Sequence, residues 1–131
     1  MVERVPEPIR FPLQEFLGME LLDHPEGAAA RVTVDDRHLN PNGVTHGAVI
    51  FTMVDTAMGK ATMGVVDEGC HCASIEVQLR FLRPAGPGLH EAVVRVIKPG
   101  RTIVHLSADV TGPDGKLVAT ATGSFAVLRP A

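Results

Sequence analysis

The chain has 131 residues, a length that predicts one domain over residues 1–131 without a separate nucleic-acid or regulatory module. Twelve Lys and Arg stand against fifteen Asp and Glu, a net charge of −3 with no basic stripe interleaved with aromatics, so no nucleic acid partner is expected. With 45% hydrophobic and 21% charged residues the chain can bury a core, which excludes a disordered chain.

At the N-terminus Pro6, Pro8 and Pro12 predict an extended arm, and no apolar stretch of the kind found in a secretory signal follows Arg4. Residues 13–19 read as a short peripheral helix that Gly18 helps to end. Residues 20–23 and 28–34 read as strands on either side of the turn His24-Pro25-Glu26-Gly27. A polar connection from Asp35 to Gly43 follows, marked as loop by Asn40-Pro41 and Asn42-Gly43 and long enough to carry function.

From His46 to Met63 there is no proline, and apolar residues cover almost every helical direction, which predicts one long helix buried nearly all round. Its exceptions, Thr52, Asp55, Thr56 and Gly59, recur at spacings of three and four and form one narrow polar or open stripe. Asp55, Lys60 and Asp67 argue against a membrane span here, so no membrane partner is expected.

Beyond Gly69 the period changes to two: Ile75, Val77, Leu79 and Phe81 alternate with Ser74, Glu76, Gln78 and Arg80 until Pro84 stops the strand. Residues 91–98, 102–110 and 117–127 read as three further strands, joined at Pro99-Gly100 and Gly112-Pro113-Asp114-Gly115, with small residues dominating one side of the last. Short turns predict that consecutive strands are antiparallel neighbours. The fold class is therefore α+β, a curved antiparallel sheet wrapped around one long central helix. An 18-residue helix is about 27 Å long, more than one such sheet easily encloses, so a second subunit is expected to complete its burial.

Cys70 and Cys72 stand too close in an extended segment to meet disulfide geometry, which points to a reducing, cytoplasmic setting. Cys70-His71-Cys72 lacks the ligand spacing of a zinc site, and Lys98-Pro99-Gly100-Arg101 is a hairpin turn, not a Walker motif. Neither metal nor cofactor is expected.

The most informative segment is Asn40-Pro41-Asn42-Gly43-Val44-Thr45-His46-Gly47-Ala48, followed by Asp55 nine residues after His46. It resembles the PaaI-like, phenylacetate-pathway type of acyl-CoA thioesterase in the hotdog-fold superfamily. The strand residues 73–84 also look like that family's strand after the helix, so the resemblance covers most of the chain. Ala48 departs from the pattern, which usually has a second Gly there.

Residue chemistry supports the same roles. Free N–H groups and the positive dipole end lie at a helix's first turn, so the Gly47 N–H can polarise a thioester carbonyl and receive the developing oxyanion. Asp55 can attack that carbonyl to give an anhydride, or deprotonate an attacking water. At a helix N-terminus a charged His46 is disfavoured, which points to a neutral positioning role. The resemblance implies that Asn40 orients the carboxylate, water or carbonyl, and that Ser74 helps to hold the nucleophile or water. Structural alternatives stand beside each: an ion-pair or register role for Asp55, a turn role for Asn40, close packing for Gly47 and an ordinary polar strand position for Ser74. Arg80, Arg83, Lys98 and Arg101 can hold coenzyme A phosphates or simply face solvent.

The resemblance implies hydrolysis of an acyl-CoA with a medium-chain or aryl acyl group. A hotdog-type acyl-thioester dehydratase or hydratase is the enzymatic alternative, and a non-catalytic acyl-CoA-binding protein the other. On one helix Gly47 and Asp55 are about 12 Å apart along the axis, too far to act on one carbonyl. Both would then act only across a homodimer, Asn40 and Gly47 from one subunit and Asp55 and Ser74 from the other. The resemblance further implies a homotetramer built of two such dimers.

Overall fold

The computed structural model describes residues 10–131, so the arm expected around Pro6 and Pro8 lies outside the described residues. The first helix, α1 (Pro12–Leu17), places a proline where a missing N–H costs nothing, and ends at Gly18, whose φ of 66° is a left-handed conformation open to glycine. As expected this helix lies at the surface, with Leu13 and Phe16 exposed, and only its end is anchored. Gly18 turns the chain back so that the Met19 N–H bonds to the Gln14 carbonyl, and both Leu17 and Met19 enter the core.

Strands β1 (Glu20–His24) and β2 (Gly27–Val34) form the expected hairpin, and a single 3-10 turn (Asp36–His38) leads into the polar loop. Helix α2 (Gly47–Met63) follows, capped by His46. Four strands complete the chain: β3 (His71–Phe81), β4 (Gly88–Pro99), β5 (Ile103–Thr111) and β6 (Leu117–Leu128). All six strands form one antiparallel sheet in the order β1-β2-β4-β5-β6-β3.

The meander β4-β5-β6 is as the turns predict, but β3 is not the neighbour of β4. It pairs with β6 and forms a sheet edge. The link from β3 to β4 contains Pro84 and Pro87 and does not reverse the chain locally. Its backbone is held elsewhere, Leu82 N–H on the Val118 carbonyl at 2.9 Å and Ala85 carbonyl under the Thr45 N–H at 2.8 Å.

The inner sheet face is built of small and β-branched residues: Ala28, Ala30, Val32, Ala92, Val94, Leu106 and Ala121 are buried against Met53, Val54, Ala57 and Met58 of α2. Alanines let the sheet approach the helix. Gly123 lets it approach further, because a Cβ there would stand 2.5 Å from the Met58 sulfur. The helix is not buried all round, however. Val49, Ile50, Met53, Val54, Ala57, Met58, Ala61 and Thr62 face the sheet, whereas Phe51 and Met63 remain 42% and 43% exposed. One curved sheet covers one side of a cylinder, and the stripe of Thr52, Asp55, Thr56 and Gly59 lies on the side left open.

Candidate functional site

The polar loop and the start of α2 build the first half of the site. Asn40 Oδ1 accepts from the Asn42 N–H at 2.9 Å and the Val44 N–H at 3.4 Å, and its backbone closes the loop through Val44 and Gly43. Its carbonyl oxygen is thus spent on the loop, while the side-chain NH2 has no acceptor among the described residues. His46 is the N-cap: its Nδ1 accepts from the Ala48 N–H at 2.9 Å, so that nitrogen cannot also act as a base. The Gly47 N–H has no acceptor among the described residues. A Cβ at Gly47 would meet the Phe81 ring at 3.1 Å, so a side chain there would push the ring away or close the approach to that N–H. Asn40, Gly47, Ile50, Phe81 and Arg83 line one cavity at this end of the helix.

The second half lies on the open face of α2. Asp55 is half-buried and makes neither hydrogen bond nor salt bridge among the described residues. Burial raises its pKa above the ordinary carboxylate value. It lines a groove of about 570 Å³ together with Gly59, Met63, Leu21, Ser74 and Phe125, a volume suited to a small-molecule group. Leu21 belongs to one edge strand of the sheet and Ser74 to the other, so the groove is the gap that the wrapped sheet leaves over the helix.

Ser74 reaches this groove through a feature that alternation does not reveal. Counting by twos places Ile75 inward and Ser74 outward. The register shifts between Ser74 and Glu76, so that Ser74 pairs with the inward-facing Phe125 while Val77 and Leu79 still face the core. Ile75 is the extra residue and is 57% exposed. Cys72, also on the inner side, donates weakly to the Gly59 carbonyl at 3.8 Å, and burial and then the Asp55 charge push its thiol up.

The structure therefore groups Asn40, His46 and Gly47 at one place and Asp55 and Ser74 at another. The four basic residues also separate. Arg83 lines the Gly47 cavity and pairs loosely with Asp114 at 3.8 Å, and Arg80 lies nearby on the outer sheet surface opposite Thr120. Lys98 and Arg101 lie at the opposite end of the sheet, near the C-terminus of α2, where Arg101 shares a cleft with Asp67 and Arg129. Among the described residues no group of three or more His, Cys, Asp and Glu side chains is placed to hold a metal, and both cysteines are free. No helix of the described residues is long and apolar enough to cross a membrane.

Two buried histidines escape sequence reasoning. His38 accepts from the Asp35 N–H at 2.9 Å and its Nε2 lies 2.9 Å from the Leu17 carbonyl. His90 is fully buried between the Gly88 carbonyl and Thr45. His90 occupies an inward position of an alternating strand, a signal that only its register could have turned into burial.

With this geometry in view, comparison with known proteins is direct. The model of the Thioesterase superfamily matches residues 42–119, which run from the end of the polar loop through α2, β3, β4 and β5 to the start of β6. Mouse acyl-coenzyme A thioesterase 13 is 31% identical over 72% of this chain and 69% of its own length. A Bacillus halodurans protein solved with CoA superposes with a TM-score of 0.84 at 25% identity, over 92% of this chain and 78% of that one. A phenylacetic acid degradation-related protein of Ralstonia eutropha gives 0.80 at 27% identity, over 93% and 92%. The chain belongs to the thioesterase superfamily, as a thioester hydrolase with the hotdog fold.

Proposed function

We propose that the protein, one domain over residues 1–131, hydrolyses an acyl-CoA with a medium-chain or aryl acyl group, releasing a carboxylate and coenzyme A in the cytoplasm. The observation that carries this reading is the pair of unsatisfied groups on one helix, an N–H at Gly47 and a desolvated carboxylate at Asp55. Their separation of about 12 Å calls for a homodimer in which Gly47 of one copy and Asp55 of the other meet at one thioester. The open face of α2 and the unpaired edge of β3 support such a partner, because an 11-residue edge strand is a surface that proteins ordinarily cover. Family resemblance extends the dimer to a homotetramer.

In this reading the Gly47 N–H holds the thioester oxygen as negative charge develops there, and the helix dipole adds to that field. The Asn40 NH2 orients the carbonyl or the water, and His46 fixes the first turn as its cap. The Asp55 carboxylate, steadied by Ser74, then attacks the carbonyl carbon. A C–O bond forms, the C–S bond breaks, CoA leaves as thiolate and takes a proton from solvent, and water cleaves the resulting anhydride. In the other arrangement Asp55 takes a proton from water, the hydroxide adds to carbon, and that proton passes to the departing sulfur. Neither route changes an oxidation state, so no redox cofactor is needed. In this reading Arg83, which lines the helix-start cavity, and Arg80 on the same strand end meet phosphates of a CoA entering there, whereas Lys98 and Arg101 serve a CoA that approaches from the far end of α2.

A screen for thiol release over a panel of acyl-CoAs tests reaction and substrate class together. Release with medium-chain or aryl substrates supports hydrolysis. A change in enoyl absorbance without free thiol replaces it with the hydratase reading, and tight binding without either product replaces it with an acyl-CoA-binding role.

A further inference from the structure

We infer that Thr45 and His90 form a buried positioning pair that sets where the Gly47 N–H points, so that β4 takes part in holding the carbonyl without touching it. The hydrogen-bond directions follow from the partners. A carbonyl only accepts, so His90 Nδ1 carries the ring proton and donates to the Gly88 oxygen at 3.1 Å. Nε2 is then the bare nitrogen, and the Thr45 hydroxyl donates to it at 3.0 Å. His90 is thereby held in one tautomer between its own strand and the residue two before Gly47.

Thr45 is tied at every other point as well. Its N–H donates to the Ala85 carbonyl at 2.8 Å, and it bridges to Leu39 across the loop. The His46 N–H donates to the His38 carbonyl at 2.8 Å, and the His38 ring is in turn anchored to Leu17 and Asp35. These bonds leave the Thr45 side chain a single place to go, and it is 7% exposed while His90 is fully buried. A helix N-terminus ordinarily frays; this one is clamped from below by a side chain of the central sheet. The clamp matters for a group whose value lies in its direction, since an oxyanion donor acts only where the charge develops.

The bland account of the pair is that it satisfies two buried polar groups and stabilises the fold. That account predicts a loss of stability for every disturbance, with turnover unchanged once the protein is folded. The positioning account predicts a loss of kcat that depends on the hydroxyl.

The experiment uses the whole chain and Thr45→Val and Thr45→Ser, with thiol release from the best acyl-CoA of the panel and the Gly47 amide followed by NMR. Thr45→Val should lower kcat about ten- to hundred-fold with KM little changed, since small misplacements cost that much. It should also move the Gly47 amide resonance and speed its hydrogen exchange, and Thr45→Ser should restore both toward the parent values. Near-parent kcat and an unmoved Gly47 amide in folded Thr45→Val overturn the inference, as does equal damage by Val and Ser. If Thr45→Val does not fold, the parent decides: a long-range proton–nitrogen spectrum must place the His90 proton on Nδ1, and a proton on Nε2 overturns the pair as drawn. This positioning rests on the proposed hydrolysis, yet the two fail differently. A parent with no turnover on any acyl-CoA removes the hydrolysis, while the Gly47 amide still answers for the pair.

Discussion

The two ends of the candidate site are built on opposite principles. At the start of α2 the functional group is a backbone N–H, and its surroundings are tied down by the Asn40 loop, the His46 cap and the Thr45–His90 bond. Halfway along the same helix the functional group is the Asp55 side chain, which has no partner among the described residues and sits in an open groove. The contrast has a physical reason. A donor dipole must be aimed in advance, because hydrogen-bond energy falls steeply with angle. A carboxylate that attacks or removes a proton must instead be left without a cationic partner and partly dehydrated, since an ion pair would lower the reactivity it supplies.

The sharpest way to break this comparison is to remove the charge at Asp55. Asp55→Asn should lower thiol release by about a thousand-fold or more while a non-hydrolysable acyl-CoA analogue still binds. Because burial raises the Asp55 pKa, its ionised form weakens the fold at neutral pH, a cost that disappears as pH falls through the folded pKa. Asp55→Asn should therefore also melt slightly higher than the parent near neutral pH. A variant with near-parent turnover removes Asp55 from the chemistry.

Mixing the two ends tests whether they come from different chains. Asn40→Ala removes the acceptor that closes the loop and should cost about a hundred-fold in kcat by freeing the segment before Gly47. Equal amounts of Asp55→Ala and Asn40→Ala chains, after subunit exchange, should recover up to about a quarter of parent activity, because half the dimers are mixed and each has one intact site. No recovery despite exchange confines the site to one chain.

The pH responses of the two ends should differ. Turnover should fall in acid as Asp55 takes a proton, with a midpoint above the ordinary carboxylate value. Burial lowers the His90 pKa, so on acidification the unfolded chain binds that proton first. Stability should then decline as pH falls below the ordinary histidine value of about 6.5. Thermal melting from about pH 7.5 to 5 checks this against His90→Gln, which should show a shallower decline.

The smallest effects concern the basic residues. Arg83→Ala, at the helix-start cavity, should raise KM for acyl-CoA several-fold with kcat nearly unchanged. Arg101→Ala, at the far end of the sheet, should do so only if CoA approaches from the Asp55 side. Substrate titrations of both variants decide which end receives the phosphates.

What the sequence determined by itself is local. Proline, glycine and the change of period from 3.6 to 2 marked the limits of α2 and of most strands, and the segment from Asn40 to Gly47 with Asp55 on the following helix was legible because those features depend on residues close in the chain. What only the tertiary structure decided depends on partners far along it. Residues 82–87 look like another turn, but their hydrogen bonds to Val118 and Thr45 carry β3 away from β4 to pair with β6. Alternation points Ser74 outward, and one extra residue, accommodated against Phe125 and Ser124, brings it into the groove that Asp55 lines. His38 and His90 look like ordinary polar positions until the loop and β4 close on each other and bury them with their hydrogen bonds made. Periodicity is set by the covalent chain and read from it. Strand order, bulges and buried polar pairs are set by the requirement that groups remote in sequence satisfy one another, which becomes visible only when they meet.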